Sequence, residues 1–171
     1  MPSRGLCEGT LKESDMYKPV KVWLEGFLRS RFRSKWKVQA EIAGHVELSS
    51  VLERIGVSKL FPESACYKVK VDVVGILQRD AEAQLALVEC KDEALDVMAL
   101  SQALGYSRIV RPLFSFLVSP FGLSPPVNSL LKVYRRYDIL EYYQDRRLVL
   151  AKWSMRRGDI DYNSINPAGA L

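Results

Sequence analysis

The stretch YKVKVDVVGIL at 67–77, followed by LALVECK at 85–91, decides how this chain reads. In the first, Tyr67, Val69, Val71 and Val73 alternate with Lys68, Lys70 and Asp72, the period of two that sends neighbouring side chains to opposite faces of a strand. The second is a nearly unbroken apolar run ending on Glu89, Cys90 and Lys91. Residues 78–84 between them are polar and few enough to close an antiparallel hairpin. Glu89 and Lys91, two apart, then face the same way while Cys90 faces the other, and the hairpin can carry Asp72 alongside Glu89. An aspartate has poor β propensity and needs a reason to sit in so apolar a strand.

Outward from this hairpin the pattern alternates helix and strand. A helix is expected at 17–33, where Val20, Trp23, Leu24, Phe27 and Leu28 recur at helical spacing with Pro19 as its first residue. A strand is expected at 35–43 and a short helix at 49–55, stopped by Gly56. Beyond the hairpin, 92–110 reads as a long amphipathic helix whose first turn holds Asp92 and Glu93, where the helix dipole favours negative charge. Residues 114–118 read as a buried strand, 127–143 as a helix after four Pro and Gly residues, and 148–153 as a last strand. The expected organisation is a flexible segment at 1–15, one domain at 16–157 and an irregular tail at 158–171. The fold class this implies is α/β.

The chemistry that such a hairpin can carry follows from charge. Two carboxylates held side by side repel unless a cation lies between them, and a hard divalent ion such as Mg2+ takes oxygen ligands while keeping waters for reaction. A lysine beside them can position or deprotonate an attacking water, or offset charge in a phosphoryl-transfer transition state. The plainer alternative is a polar strand face with an ordinary Glu–Lys pair.

These residues resemble the PD-(D/E)XK nuclease superfamily, of restriction-endonuclease-like fold. Asp72 in Val71-Asp72-Val73-Val74-Gly75 matches the first acidic position, with valine in place of the preceding proline, and Glu89-Cys90-Lys91 matches the (D/E)-x-K element after sixteen intervening residues. Gln102-Ala103-Leu104-Gly105-Tyr106 is similar to the Q-x-x-x-Y motif of the RecB-like branch, its two polar residues four apart on one helical face. The resemblance implies a three-layer fold with a central mixed sheet of four to five strands. It implies Mg2+ or Mn2+ held by Asp72, Glu89 and the backbone carbonyl of Cys90, and Lys91 as the catalytic lysine, with Gln102 and Tyr106 supporting the site. It also implies a first-helix glutamate, for which Glu25 is the candidate and Glu41 and Glu47 the alternatives. The implied activity is hydrolysis of DNA phosphodiester bonds, RNA not being excluded, in repair, recombination or junction processing. The competing reading is a non-catalytic module on the same fold that binds nucleic acid or a protein.

Bulk properties narrow the field further. A net charge of +5 favours polyanionic partners. The run Arg29, Arg31, Arg33, Lys35, Trp36 and Lys37, with Phe32 interleaved, is a candidate for tracking a nucleic-acid backbone, against the simpler reading of a solvated helix end. The doublets Arg135–Arg136, Arg146–Arg147 and Arg156–Arg157 each read as charged surface, and Tyr134, Tyr137, Tyr142 and Tyr143 as helix packing. Cys7, Cys66 and Cys90 are too few for a disulfide framework, a zinc site or the four-cysteine iron–sulfur cluster of some RecB-like nucleases. With His45 as the only histidine, carboxylates and lysines are the better-supplied catalytic groups; His45 itself reads as a polar loop residue. No apolar run is long enough to span a bilayer and no secretory signal is evident, so a cytoplasmic protein without a membrane partner is expected, with a homodimer left open.

Overall fold

In the computed structural model, which describes residues 11–32 and 35–171, the hairpin at 67–91 lies within a seven-stranded mixed sheet of an α/β fold. The strands are β1 (Lys37–Ile42), β2 (Val73–Arg79), β3 (Glu82–Cys90), β4 (Phe114–Ser119), β5 (Glu141–Tyr143), β6 (Arg146–Ser154) and β7 (Asp159–Asn166). The helices are α1 (Glu13–Arg31), α2 (Leu48–Arg54), α3 (Val97–Val110) and the single turn α4 (Pro125–Asn128). The sheet runs β1-β2-β3-β4-β6-β5, with β7 also on β6; β3-β4 and β4-β6 are parallel and the other pairs antiparallel.

The hairpin closes through two residues, Asp80 and Ala81, with Arg79 opposite Glu82 and φ of +52° at Asp80. The strands therefore run into the polar 78–84 stretch expected to be loop. Gln78, Arg79 and Glu82 lie at the end of the ladder, where polar side chains reach solvent without losing main-chain pairing. From Leu85 to Cys90 every β3 residue is buried, because this central strand has a helix layer on each face.

Residues 67–72, expected as the first half of a strand, lie outside the ladder. Their carbonyls serve another element: Leu48 N–H donates to Val69 O at 2.8 Å and Ser49 N–H to Tyr67 O at 3.1 Å, satisfying orphan donors at the start of α2.

α1 covers one face. Met16, Tyr17, Val20, Trp23, Leu24 and Leu28 bury against Val73, Leu77, Val88, Phe116 and Trp153. Burying each large apolar side chain contributes on the order of 1.5–3 kcal/mol. A Cβ at Gly75 would come 2.5 Å from Leu28 Cδ1, so the close packing of α1 on β2 requires glycine there. The helix begins four residues before the expected start, and Pro19 lies inside it. The reason is capping: Lys12 N–H donates to Asp15 Oδ2 at 2.9 Å, and Glu13 and Asp15 complement the positive helix end. Residues 13–15 are thus helical.

α2 and α3 cover the opposite face, over Val74, Ile76, Leu85 and Leu87 and over Leu117, Leu148 and Leu150. α3 starts later than expected, at Val97, because Asp96 caps it by accepting from Ala99 N–H at 2.8 Å.

The expected helix at 127–143 is broken into α4, a π turn at 129–133, a 3-10 turn at 137–140 and β5. Arg135, at φ +54°, ends the helical path, and Tyr142, buried, is anchored by donating its hydroxyl to Pro112 O at 3.0 Å. The stretch 158–171, expected to be irregular, contains β7, which pairs Ser154 with Asp159 and Trp153 with Ile160. Its polar residues suit an edge strand with one solvated face. β5 and β7 raise the strand number from five to seven. Among the described residues no helix is long and apolar enough to cross a membrane.

Candidate active site

At the end of the β2–β3 hairpin away from its turn, Val73 pairs with Val88, so Asp72 and Glu89 occupy the next positions on either strand. Both are buried, each about 6% exposed, which for carboxylates demands compensation. Asp72 Oδ2 accepts from Cys90 N–H at 2.7 Å, and Tyr17 on α1 adjoins the carboxyl and favours its charged form. Its carbonyl accepts from Ala43 and Gly44 N–H at 2.9 and 3.2 Å, fixing the loop after β1 against it.

Glu89 is less satisfied. Its Oε1 accepts from Lys91 Nζ and from Gln102 Nε2, both at 3.0 Å, whereas its buried Oε2 has no hydrogen-bond partner. Gln102 Nε2 also lies 3.2 Å from the Tyr106 hydroxyl, so α3 brings both motif residues onto the site through one helical face. Cys90 turns into the core beneath α1, as strand parity requires. Its N–H points at Asp72, and because a strand residue's N–H and C=O leave on the same edge, its carbonyl points the same way.

The electrostatics are those of a cluster with excess negative charge. Burial first, then Asp72, pushes the Glu89 carboxyl up to about 7, against the pull of Lys91. Burial likewise raises Asp72, offset in part by the Cys90 N–H, Tyr17 and Lys91, with a smaller contribution from His45 in the exposed 44–47 loop. Burial alone would lower Lys91, but Glu89, Glu13 and Asp72 outweigh it and hold the ammonium above its ordinary value.

Glu13 was not expected here. It lies in the first turn of α1, 3.4 Å from Lys91 Nζ, and its own carboxyl is raised by burial and by Asp72. Glu25, the expected first-helix glutamate, sits twelve residues along α1, about 18 Å at 1.5 Å per residue, and pairs with Arg29 instead. Glu41 pairs with Lys21 at 3.7 Å and Glu47 with Lys68 at 3.0 Å. The available signal for Glu13 was its i,i+4 relation to Tyr17, which puts it in line with the buried face of α1.

The basic run does not converge on these residues. It begins at the far end of α1, about 24 Å from Glu13 by helix rise. Arg31 lies over the Phe27 and Phe114 rings at 5.1 and 5.8 Å, and Trp36 packs beneath Arg79 at 4.7 Å and beside Phe32. Lys35 and Lys37 are exposed, and Arg33, like Cys7, lies outside the described residues. What does adjoin the site is an open groove of about 520 Å³, lined by Lys91, Glu93, Asp96, Met98 and Gln102 among others.

Among the described residues no three Asp, Glu, His or Cys side chains form a ready ligand set. A divalent ion would draw on Asp72, the unpartnered Glu89 Oε2 and the Cys90 carbonyl, a hard all-oxygen set that fits Mg2+ or Mn2+. No protein-family model and no curated protein matches the chain, and the functional reading rests on the residues and geometry of this site.

Proposed function

We propose that this protein is a Mg2+- or Mn2+-dependent nuclease of PD-(D/E)XK type, on a restriction-endonuclease-like fold, that hydrolyses DNA phosphodiester bonds. The observation that carries the reading is Glu89: a buried carboxylate beside a second one, with one oxygen held by Lys91 and Gln102 and the other without a partner. Left alone, that oxygen costs stability, and a cation removes the cost. The order of α1, β1, β2, β3, α3 and β4 and the covering of the sheet on both faces are consistent with the proposed fold.

A divalent ion bound there supplies a Lewis acid and a water of lowered pKa. The chain's own groups do the rest. Asp72 is oriented by Cys90 N–H and Tyr17, and Glu89 by Gln102, itself steadied by Tyr106. Lys91, bonded to Glu89, is placed to position the attacking water or to offset charge on the phosphoryl oxygens. The groove beside Lys91 gives the strand an approach. Repair, recombination or junction processing is the role proposed for such an activity.

The test is cleavage of labelled single-stranded, duplex and branched DNAs with Mg2+, Mn2+ or chelator, comparing wild type with Lys91→Ala and Asp72→Asn. Metal-dependent cleavage lost in both variants is the expected result. Cleavage indifferent to both substitutions removes the mechanism, and nucleic-acid binding without cleavage or metal uptake returns the non-catalytic module.

A further inference from the structure

We infer that Arg111 and Arg146, set against the ring of Tyr143, form a second anion site that holds a backbone phosphate of a nucleic-acid strand, remote from the catalytic residues. This deepens the nuclease reading and rests on it for the identity of the ligand. The guanidinium of Arg111 lies 4.9 Å and that of Arg146 5.5 Å from the centre of the same ring. Neither is paired with a carboxylate in the described structure, so two positive charges share one aromatic ring without a neutralising partner. Guanidinium groups placed this way match phosphate oxygens well, and cation–π contact orients them without consuming their outward N–H donors.

Helix capping explains only one of the two. Arg146 Nη1 donates to Arg111 O at 2.9 Å and Pro112 O at 3.1 Å, an ordinary cation at the negative end of α3. Arg111 has no such task, yet it occupies the cap of α3 at φ +52°, ψ +49°, the left-handed conformation where glycine is the favoured residue. Its side chain is exposed. A bulky cation kept at a position that costs conformational energy, stacked and unpaired, is accounted for by a ligand that uses the charge. Arg111 lies nine residues beyond Gln102 on α3, about 14 Å by helix rise, which sets this site apart from the catalytic residues.

Arg111→Gly separates binding from folding, since it removes the guanidinium and supplies the residue the backbone prefers. The measurement is fluorescence anisotropy of a labelled 20-nucleotide oligothymidylate in chelator, from 50 to 200 mM NaCl, beside thermal unfolding and Mg2+-dependent cleavage. Expected for Arg111→Gly are an unfolding midpoint no lower than wild type and Kd raised about tenfold. The salt slope should be shallower by about 0.7, and KM raised with kcat unchanged. Unchanged Kd and salt slope overturn the site. If no substrate is cleaved but oligonucleotide binding still depends on Arg111, the anion site stands and the nuclease reading falls. If cleavage is strong and indifferent to Arg111→Gly in both KM and Kd, the reverse holds. Absence of binding to the oligonucleotide by wild type removes the site outright.

Discussion

Acid and base meet in two contrasting settings in this molecule. Arg136 and Asp138 pair through two hydrogen bonds of 2.8 and 2.9 Å on the open surface, where the partner dominates and Asp138 falls below the usual carboxylate range. Around Lys91, Glu13 and Glu89 share one ammonium with Asp72 beside Glu89, burial dominates, and all three carboxyls rise. The same residue types thus give a satisfied pair in one place and an unsatisfied cluster in the other. What differs is water: at the surface solvent screens each charge, whereas at the hairpin end it is excluded and one cation cannot balance three acids. That imbalance is what the proposed divalent ion would offset.

The contrast breaks most visibly at the buried cluster. Lys91→Ala or Asp72→Asn should lower metal-dependent cleavage by at least about 10²-fold with unchanged circular dichroism. Retention of more than a tenth of the rate would sink the assignment of these residues.

A second test uses pH. Glu89 binds its proton more tightly folded (about 7) than unfolded (near 4.5), so in chelator its contribution to stability is complete below about pH 4.5 and is lost as pH rises through about 7. The loss is on the order of 3 kcal/mol, and Asp72, shifted the same way, adds to it. Glu89→Gln should flatten this slope in urea titrations at pH 5–8. Mg2+ should stabilise the wild type increasingly across the same interval, because the ion replaces the proton. A pH-independent metal-free stability would contradict the burial argument.

Smaller effects separate neighbours from bystanders. Glu13→Gln and Gln102→Ala should each raise the metal concentration needed for half-maximal cleavage by about tenfold, as losses of residues that orient a site do. Glu25→Gln should leave it unchanged; if Glu25 and not Glu13 matters, the placement of α1 over Lys91 is at fault. At the surface, Arg136→Ala should shift neither the unfolding midpoint nor the cleavage rate, because solvent already screens that pair.

Much of the hairpin is legible in the amino-acid order. The apolar run to Cys90 places β3, whereas the alternation expected to mark the first strand falls ahead of the ladder, which begins at Val73 because the carbonyls of Tyr67 and Val69 are spent on α2. Val71 and Val73, expected on one face, pack on opposite faces of the sheet. The spacing of Gln102 and Tyr106 gives their shared helical face; that this face turns to Glu89 is implied by the family resemblance and not by the spacing. β7 escapes because its mainly polar residues, with Ile160 and Asn166 the buried ones, carry no apolar pattern. The helix expected at 127–143 fails where tertiary anchors such as Tyr142 on Pro112 outweigh local propensity.

The sequence by itself determined what depends on local geometry. Residues two apart on a strand share a face and residues four apart on a helix share a face, so Glu89 with Lys91 and Gln102 with Tyr106 follow from spacing. Only the tertiary structure decided which distant elements meet. The cap on Asp15 starts α1 early and Gly75 lets it lie close on β2, so Glu13 and Tyr17 reach the hairpin while Glu25 points elsewhere. Packing of α1 on the sheet has no signature in the spacing around Asp72, and it is packing that turned a suggestive hairpin into a buried cluster with one oxygen unpaired.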